Sequence, residues 1–460
     1  MNDLTLPDIK RPRHSDSASR VHDVLIVGAG FAGLGSAIRL QQSGVRDILI
    51  LERGSEVGGT WRDNQYPGAA CDIPSNLYSY SFAQNPQWSR GFSGAAEIMG
   101  YVHHLVARFD LHRLIEFNRN VTSMSFDEDS GLWTVSTEQG EPLRARNVVM
   151  GQGPLSNASF PNISGIEDYK GKKIHSARWD HDYDFRGKRV AVVGTGASAI
   201  QIVPELVKQA ATVKVFQRTP AWVMPRPDYA SPEWSKSLFS KFPLSQTAFR
   251  ELLYWVHESM AVGVVWTTPV TRLQKDNCEL ITWPIANLAA DGIRTVEGIE
   301  HQVDCIVFAT GFEVSKSGAP FPVTGLNDRS LDVEWSRGAK AYKSVSVSGY
   351  PNLYMTFGPN SGPGHNSALV YMEAQIDYIV KGVKAVLKPG VKYLDVRDDV
   401  QHRHNQRIQK RLQKTNWNSG CSSWYLTEDG FNATMFPGLA TQFRNQMAHF
   451  RLKDYSVSPG

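Results

Sequence analysis

One pattern of apolar and polar positions occurs twice in the chain. An apolar run over residues 23–27 stops at Gly28-Ala-Gly30-Phe-Ala-Gly33. Apolar positions then recur at helical spacing over 32–43, Gly44 ends them, and a second apolar run covers 47–52. A short apolar run stopped by glycine predicts a buried strand, and recurrence every three to four residues predicts an amphipathic helix. The pattern returns with Arg189-Val-Ala-Val-Val and Gly194-Thr-Gly196-Ala-Ser-Ala199, predicting a helix over 198–209 and a strand over 212–217. Elsewhere it predicts strands over 121–126, 133–137, 147–150, 303–310 and 353–357, and helices over 97–109, 375–387 and 401–415. Strands alternating with helices imply an α/β fold. Residues 230–270 differ. Trp234, Phe239, Phe242, Phe249, Leu253 and Trp255 fall at helical spacing. They predict a small helical subdomain packing its own core, with a membrane or partner surface as the alternative. Residues 54–92, rich in Gly, Pro, Asn, Tyr and Trp, predict a long structured loop of the kind that carries function.

Each copy ends in a charge. Glu52 lies 24 residues after Gly28, and Arg218 lies 24 residues after Gly194. In such a turn the first Gly permits the bend, the second lets backbone approach a pyrophosphate, and the third lets helix and strand pack closely. The pyrophosphate then meets the N–H groups of a helix N-terminus. Ala199 stands at the third position of the second copy, a substitution the motif tolerates. Glu52 can accept from both ribose hydroxyls and would repel a 2′-phosphate, which suits FAD or NAD. Arg218 with Thr219 can grip a 2′-phosphate, which selects NADP; a solvated surface arginine is the plain alternative. Two different dinucleotide sites in one polypeptide imply electron transfer between them.

Composition narrows the class. The 460 residues suffice for two or three domains, and a net charge of +4 argues against a nucleic-acid binder. Cys71, Cys278, Cys305 and Cys421 form no close pair, which disfavours a metal site, a disulfide scaffold or a dithiol centre. No apolar run reaches the length of a membrane span. Residues 1–20 lack a signal-peptide core and are expected to be a flexible tail, so a cytoplasmic protein is expected.

Two further stretches carry candidate chemistry. Gly58-Gly59-Thr60-Trp61 to Tyr66-Pro67-Gly68 and Asp72 combine backbone freedom, a flat ring and a carboxylate expected to have a cationic or hydrogen-bonding partner. The plain reading of Asp72 is a loop cap. Tyr169, Gly171, His175, Trp179 and Asp180 lie between the two units; a lone His there is usually structural, but this one could respond to domain movement.

Together these motifs resemble the type I Baeyer–Villiger monooxygenases, a class B flavoprotein family. The resemblance covers roughly residues 20–450. Residues 58–72 match the fingerprint [AG]-G-x-W-x-x-x-x-[FY]-P-[GM]-x-x-x-D at every fixed position. Residues 169–180 are similar to F-x-G-x-x-x-H-x-x-x-W-[PD], with Tyr169 for Phe. Ala309-Thr310-Gly311 resembles the family's linker strand, and Gly358-Pro359-Asn360 with Gly364-His365-Asn366-Ser367 looks like its C-terminal flavin-side loop. The resemblance implies two Rossmann-like domains, the second inserted into the first, with the helical subdomain. The expected bounds are 21–155 with 340–460 for FAD, 156–229 with 276–339 for NADP, and 230–275, shortened, for the helices. It implies that NADPH reduces FAD, that the reduced flavin traps O2 as a C4a-peroxyflavin, and that a ketone is converted to an ester or lactone. By carry-over, Gly28, Gly30, Gly33, Glu52, Thr60, Trp61 and Tyr78 line FAD, and Asp72 lies beside flavin and nicotinamide as the catalytic carboxylate. Gly194, Thr195, Gly196, Ser198, Arg218 and Thr219 bind NADPH, while Gly171, His175 and Trp179 couple the domains. The partners implied are a small ketone and O2, in a monomer or homodimer.

One departure stands out. Family members carry a Lys–Arg pair after the helical subdomain, its Arg a natural partner for Asp72. Here Thr267 to Leu280 runs on without one, and the Lys–Arg pairs are Lys10-Arg11, Lys188-Arg189 and Lys410-Arg411. Neither Arg272 nor Lys275 is assigned that role. Either the natural polypeptide is longer than 51.3 kDa at this point, or the protein reduces flavin and leaks peroxide. The competing functions are an N- or S-oxygenating flavin monooxygenase, a disulfide reductase, disfavoured for want of a cysteine pair, and a non-catalytic flavin-binding protein.

Overall fold

The computed structural model describes residues 20–153, 155, 157–218, 226–266, 277–312, 320–418, 426–427 and 429–460. Its first unit runs β1 (Val21–Val27), α1 (Phe31–Gln42), β2 (Ile48–Leu51), α2 (Thr60–Asp63), α3 (Ala95–Arg108), β3 (Ile115–Glu116), β4 (Val121–Asp127), β5 (Leu132–Thr137) and β6 (Leu143–Met150). The second comprises β7 (Lys172–His175), β8 (Arg189–Val193), α4 (Ala197–Leu206), β9 (Thr212–Phe216), α5 (Glu233–Lys241), α6 (Pro243–Trp266), β10 (Cys278–Ile281), β11 (Ile285–Ala289), β12 (Gly292–Thr295), β13 (Glu300–Gln302) and β14 (Cys305–Phe308). The chain then returns through β15 (Val323–Thr324), α7 (Leu331–Glu334), β16 (Leu353–Met355), α8 (Ala368–Val386), β17 (Val391–Val396), α9 (Asp398–Leu412), α10 (Ala440–Ala448) and β18 (Tyr455–Pro459).

The first sheet has the order β15-β4-β5-β6-β1-β2-β3, with β16 on β6. β1 lies parallel between β2 and β6, and both its faces are covered: Val24 and Ile26 enter one core cluster, Leu25 and Val27 the other, with Val24, Leu25 and Ile26 fully buried. A strand enclosed on both faces carries a continuous apolar run, which is why 23–27 does not alternate. The second sheet, β10-β9-β8-β14-β7, is parallel throughout. The fold is therefore α/β with two Rossmann-like units, the second inserted into the first. An antiparallel meander, β11-β12-β13, precedes β14, and β17 pairs with β18.

Two expectations need correction. Residues 320–339 pack with the first unit, not the second: β15 pairs with β4, and Phe321, Leu331, Trp335 and Ala339 join the first sheet's core. The chain therefore returns before residue 340. The two-residue strand that makes this join is too short to show a period. The helical segment does not pack a core of its own. α6 lays Gln246, Tyr254, Glu258 and Ala261 against the first unit, while Trp234 (70% exposed), Leu244 (83%) and Trp255 (58%) face outward. Helical spacing identified the helices but not which face is covered. Among the described residues no helix is long and apolar enough to cross a membrane.

Candidate active site

The first glycine turn joins β1 to α1. Gly28 has φ +98°, and a Cβ there would lie 3.0 Å from the Gly151 carbonyl oxygen. A Cβ at Gly33 would collide with the Gly28 carbonyl, so the helix sits against the strand end without room for a side chain. α1 begins after Gly30 with no side-chain cap and no acidic residue in its first turn. Its leading N–H groups are thus available to an anion, and the cradle fits the pyrophosphate of a dinucleotide.

Glu52, 3% exposed, follows β2 and is held from three sides. Ala29 N donates to Oε2 at 2.7 Å, while Gly54 N (2.8 Å) and Arg62 Nη1 (2.7 Å) donate to Oε1. The Ala29 bond ties the carboxylate to the glycine turn itself. Arg62, absent from the sequence-based site, also donates to the Glu56 carbonyl and pairs with Asp63. These hydrogen bonds and charges raise its affinity for its proton, despite the opposing effect of burial.

The 58–72 loop lies directly on this turn. Gly58 and Gly59 both have positive φ, Gly58 N donates to the Ala29 carbonyl, and a Cβ at Gly59 would lie 3.2 Å from Gly30 Cα. Thr60 opens α2, and its carbonyl accepts from Asn64 Nδ2. Trp61 Nε1 donates to Tyr78 Oη at 3.0 Å, with the rings edge to face; Tyr78 in turn meets Phe31 of α1. Burial pushes the Tyr78 hydroxyl up, with the neighbouring Cys71 adding to the shift, so it stays protonated. The structure thus gathers Thr60, Trp61 and Tyr78 beside the first cradle. Asp72 follows on the same loop, but it is exposed and has no ion pair or side-chain hydrogen bond among the described residues. The cation close to its chain neighbour is Arg226, whose Nη1 lies 3.5 Å from the Cys71 carbonyl oxygen and whose guanidinium covers Phe92.

The second turn repeats the first. Gly194 has φ +110°, a Cβ there would lie 2.4 Å from the Ala309 carbonyl oxygen, and α4 starts after Gly196 with no side-chain cap. Space around Gly196 is open, and Ser198 lies in the first turn of α4. Gln217 Nε2 donates to Thr195 Oγ1 at 3.3 Å, joining the turn to the end of β9. Arg218 is exposed there and makes no ion pair with a described residue. Thr219, like Cys421, Arg272 and Lys275, lies outside the described residues.

Between the units, Gly171 packs against the Tyr169 ring, whose hydroxyl donates to the Val303 carbonyl at 2.9 Å. His175 ends β7, buried. Its Nδ1 accepts from Ala177 N, its ring meets Phe160 and Phe312, and burial lowers its pKa. Beside it run the two connections between the units: Ser159 N donates to the Gly311 carbonyl, and Thr310 Oγ1 donates to the Ser159 carbonyl. Trp179 stacks on Phe185 in the second unit's core, and Asp180 pairs with Lys172.

The C-terminal loop adds a group that sequence reasoning missed. Glu258 of α6 is buried, with His365 Nε2 (3.1 Å), Asn366 Nδ2 (3.3 Å) and Ala440 N (3.1 Å) on one oxygen and Thr441 N (2.8 Å) on the other. Burial alone would raise its pKa; these donors outweigh it and hold the carboxyl down at about 2. Ser367 caps α8 through Leu369 N.

A family model described as pyridine nucleotide-disulphide oxidoreductase matches residues 25–240, the span of both glycine turns. Dithiol chemistry is a separate matter, because Cys71, Cys278 and Cys305 are all unpaired thiols. A Baeyer–Villiger monooxygenase of Pseudomonas aeruginosa is 38% identical, with 96% of this chain and 92% of the relative covered. The chain belongs to the Baeyer–Villiger monooxygenase family. Another Baeyer–Villiger monooxygenase, from Streptomyces coelicolor, is 36% identical over 95% of this chain and 93% of its own length. The structure of an oxidized steroid monooxygenase bound to NADP superposes with a TM-score of 0.82 at 27% identity, covering 96% of this chain and all of that one. The alignments to the two Baeyer–Villiger monooxygenases run over 487 and 486 positions, more than the 460 residues here, so those relatives hold segments this chain lacks.

Proposed function

We propose that this chain is an NADPH- and O2-dependent flavin monooxygenase that inserts one oxygen atom beside a ketone carbonyl to give an ester or lactone. The observation that carries the reading is a pair of glycine cradles, one closed by Glu52 and one by Arg218, in a chain 38% identical to a Baeyer–Villiger monooxygenase. Bound FAD would supply oxygen activation, and NADPH the hydride that primes it. Gly28, Gly30 and Gly33 give the FAD pyrophosphate a backbone cradle, and Glu52 faces its ribose. Thr60, Trp61 and Tyr78 form a wall that excludes water from the flavin. Gly194, Thr195, Gly196 and Ser198 hold the NADPH pyrophosphate, and Arg218 with Thr219 its 2′-phosphate. Asp72 acts between flavin and nicotinamide. Gly171, His175 and Trp179 transmit domain movement, His175 lying against Phe160 and Phe312 of the paired linkers. The protein works on a small ketone and O2 as a monomer or homodimer in the cytoplasm.

A second reading, NADPH oxidation that releases peroxide, is favoured by one observation: Asp72 has no cationic partner among the described residues of a chain shorter than its relatives. The test is to incubate FAD-loaded protein with NADPH, air and linear, cyclic and aryl ketones, and to assay ester and hydrogen peroxide. Ester formed in step with NADPH loss is expected. Peroxide alone across the panel would replace the first reading with the second.

A further inference from the structure

The 58–72 loop is part of the first unit, yet its second half belongs physically to the second. Tyr66 packs its ring against the core beneath α4. Its hydroxyl donates to Gln201 Oε1 at 3.1 Å. Ala70 N donates to the same oxygen at 3.3 Å, and Gln201 Nε2 donates back to the Ala70 carbonyl at 3.0 Å. One side-chain amide therefore exchanges a reciprocal pair of hydrogen bonds with one loop residue, as two strands would. Between these contacts Gly68 (φ +81°) lies against the helix backbone: a Cβ there would be 2.7 Å from the Gln201 carbonyl oxygen and 3.1 Å from Glu205 Cγ. Tyr66 and Gly68, the second aromatic and the last glycine of the loop fingerprint, are thus accounted for by docking onto α4.

This contact joins two ends that matter. α4 starts just after Gly196 in the second cradle, with its first residue, Ala197, about one helical turn before Gln201. The loop starts at Gly59 against Gly30 in the first cradle and reaches Asp72 two residues after Ala70. Glu at this position cannot donate to the Ala70 carbonyl, and Leu gives neither Ala70 group a partner. Resting on the function proposed above, we infer that Gln201 is a positioning residue. It sets the register of the NADPH-side helix against the flavin-side loop, so that the hydride with its electron pair passes from NADPH to FAD at the right distance, leaving NADP+.

The test compares wild type with Gln201→Leu, Gln201→Glu and Gly68→Ala in FAD-loaded protein. Hydrogen exchange of the 66–72 segment reads the contact without turnover. Single-turnover bleaching of the flavin by NADPH reads positioning, bleaching by dithionite serves as control, and NADP+ affinity and FAD content report on the two cradles. In Gln201→Leu we expect faster exchange at Ala70 and slower NADPH bleaching, by about 10- to 100-fold, because misplacement by about 1 Å has that effect. Dithionite bleaching, FAD content and NADP+ affinity should stay within about twofold, since tighter shifts lie inside ordinary surface-mutation scatter. Gln201→Glu, which keeps the acceptor, should lose less, and Gly68→Ala should reproduce the defect with Gln201 intact. Unchanged exchange would overturn the contact. Faster exchange with unchanged NADPH bleaching, or parallel loss of FAD or NADP+ binding, would overturn the positioning role. A wild-type flavin that NADPH fails to bleach would overturn the functional reading and this role together, while exchange would still report whether Gln201 holds the loop.

Discussion

Arg218 stands at the end of β9, exposed and without an ion pair to a described residue, so its guanidinium is available to a phosphate. A charge-assisted hydrogen bond contributes about 1.5–3 kcal/mol, or roughly 10- to 100-fold in affinity. Arg218→Ala should therefore raise the NADPH KM by about 10- to 100-fold and leave the NADH KM unchanged. Steady-state kinetics with both cofactors checks this, and equal losses would remove Arg218 from the 2′-phosphate site. Asp395 tests burial instead of ligand contact. Burial pushes its carboxyl up to about 7, although Gly349 N donates to it at 2.9 Å. A carboxyl whose folded value lies above its unfolded one stabilises in its neutral form. That contribution is complete below about pH 4 and is lost as pH rises through about 7. Asp395→Asn should then gain thermal stability relative to wild type at pH 8 but not at pH 4. Melts at the two pH values measure the difference, and a constant offset would contradict the argument.

At the scale of elements, α6 has two faces with different fates. Its inner face carries Glu258, which binds the N-terminus of α10 and the 364–367 loop together. Removing one member of a buried charged cluster costs about 3–5 kcal/mol. Glu258→Ala should lower stability by about that amount in denaturant unfolding. Glu258 has a folded value near 2, below the unfolded one, so its contribution is present above about pH 4.5 and lost as pH falls towards 2. Wild type should lose more stability across that window than Glu258→Gln does. The outer face carries Leu244, Leu252 and Trp255 in the open. Replacing Leu244 with Ser should shift stability by no more than about 0.5 kcal/mol, because this side chain stays 83% exposed on folding. The same change should reduce binding of an apolar dye. Sequence periodicity found α5 and α6 because spacing every three to four residues is a property of the segment alone. It assigned them a core of their own because the choice of covered face depends on what the first unit presents.

In the whole molecule, a mixed sheet and a parallel sheet are joined by the paired 158–160 and 310–312 connections, the loop on α4, and α6 against the C-terminal helices. The first sheet is complete only when β15 and β16 return from far along the chain, which is why the sequence places the domain boundary near 340 and the structure places it earlier. The sequence by itself determined the two strand–turn–helix units and the charges after them. Positive φ at Gly28 and Gly194, and the runs that flank them, are demands of neighbouring residues and are written locally. The comparison with relatives agrees with the family to which those motifs pointed. Only the tertiary structure decided which residues hold these units to one another. Gln201 meets Ala70 across 131 positions, and His365 meets Glu258 across 107. Arg62 closes on Glu52 only because its loop folds back over β2. A hydrogen bond between residues so far apart leaves no period or spacing in the chain. It exists because folding encloses polar groups, and enclosed polar groups must find partners.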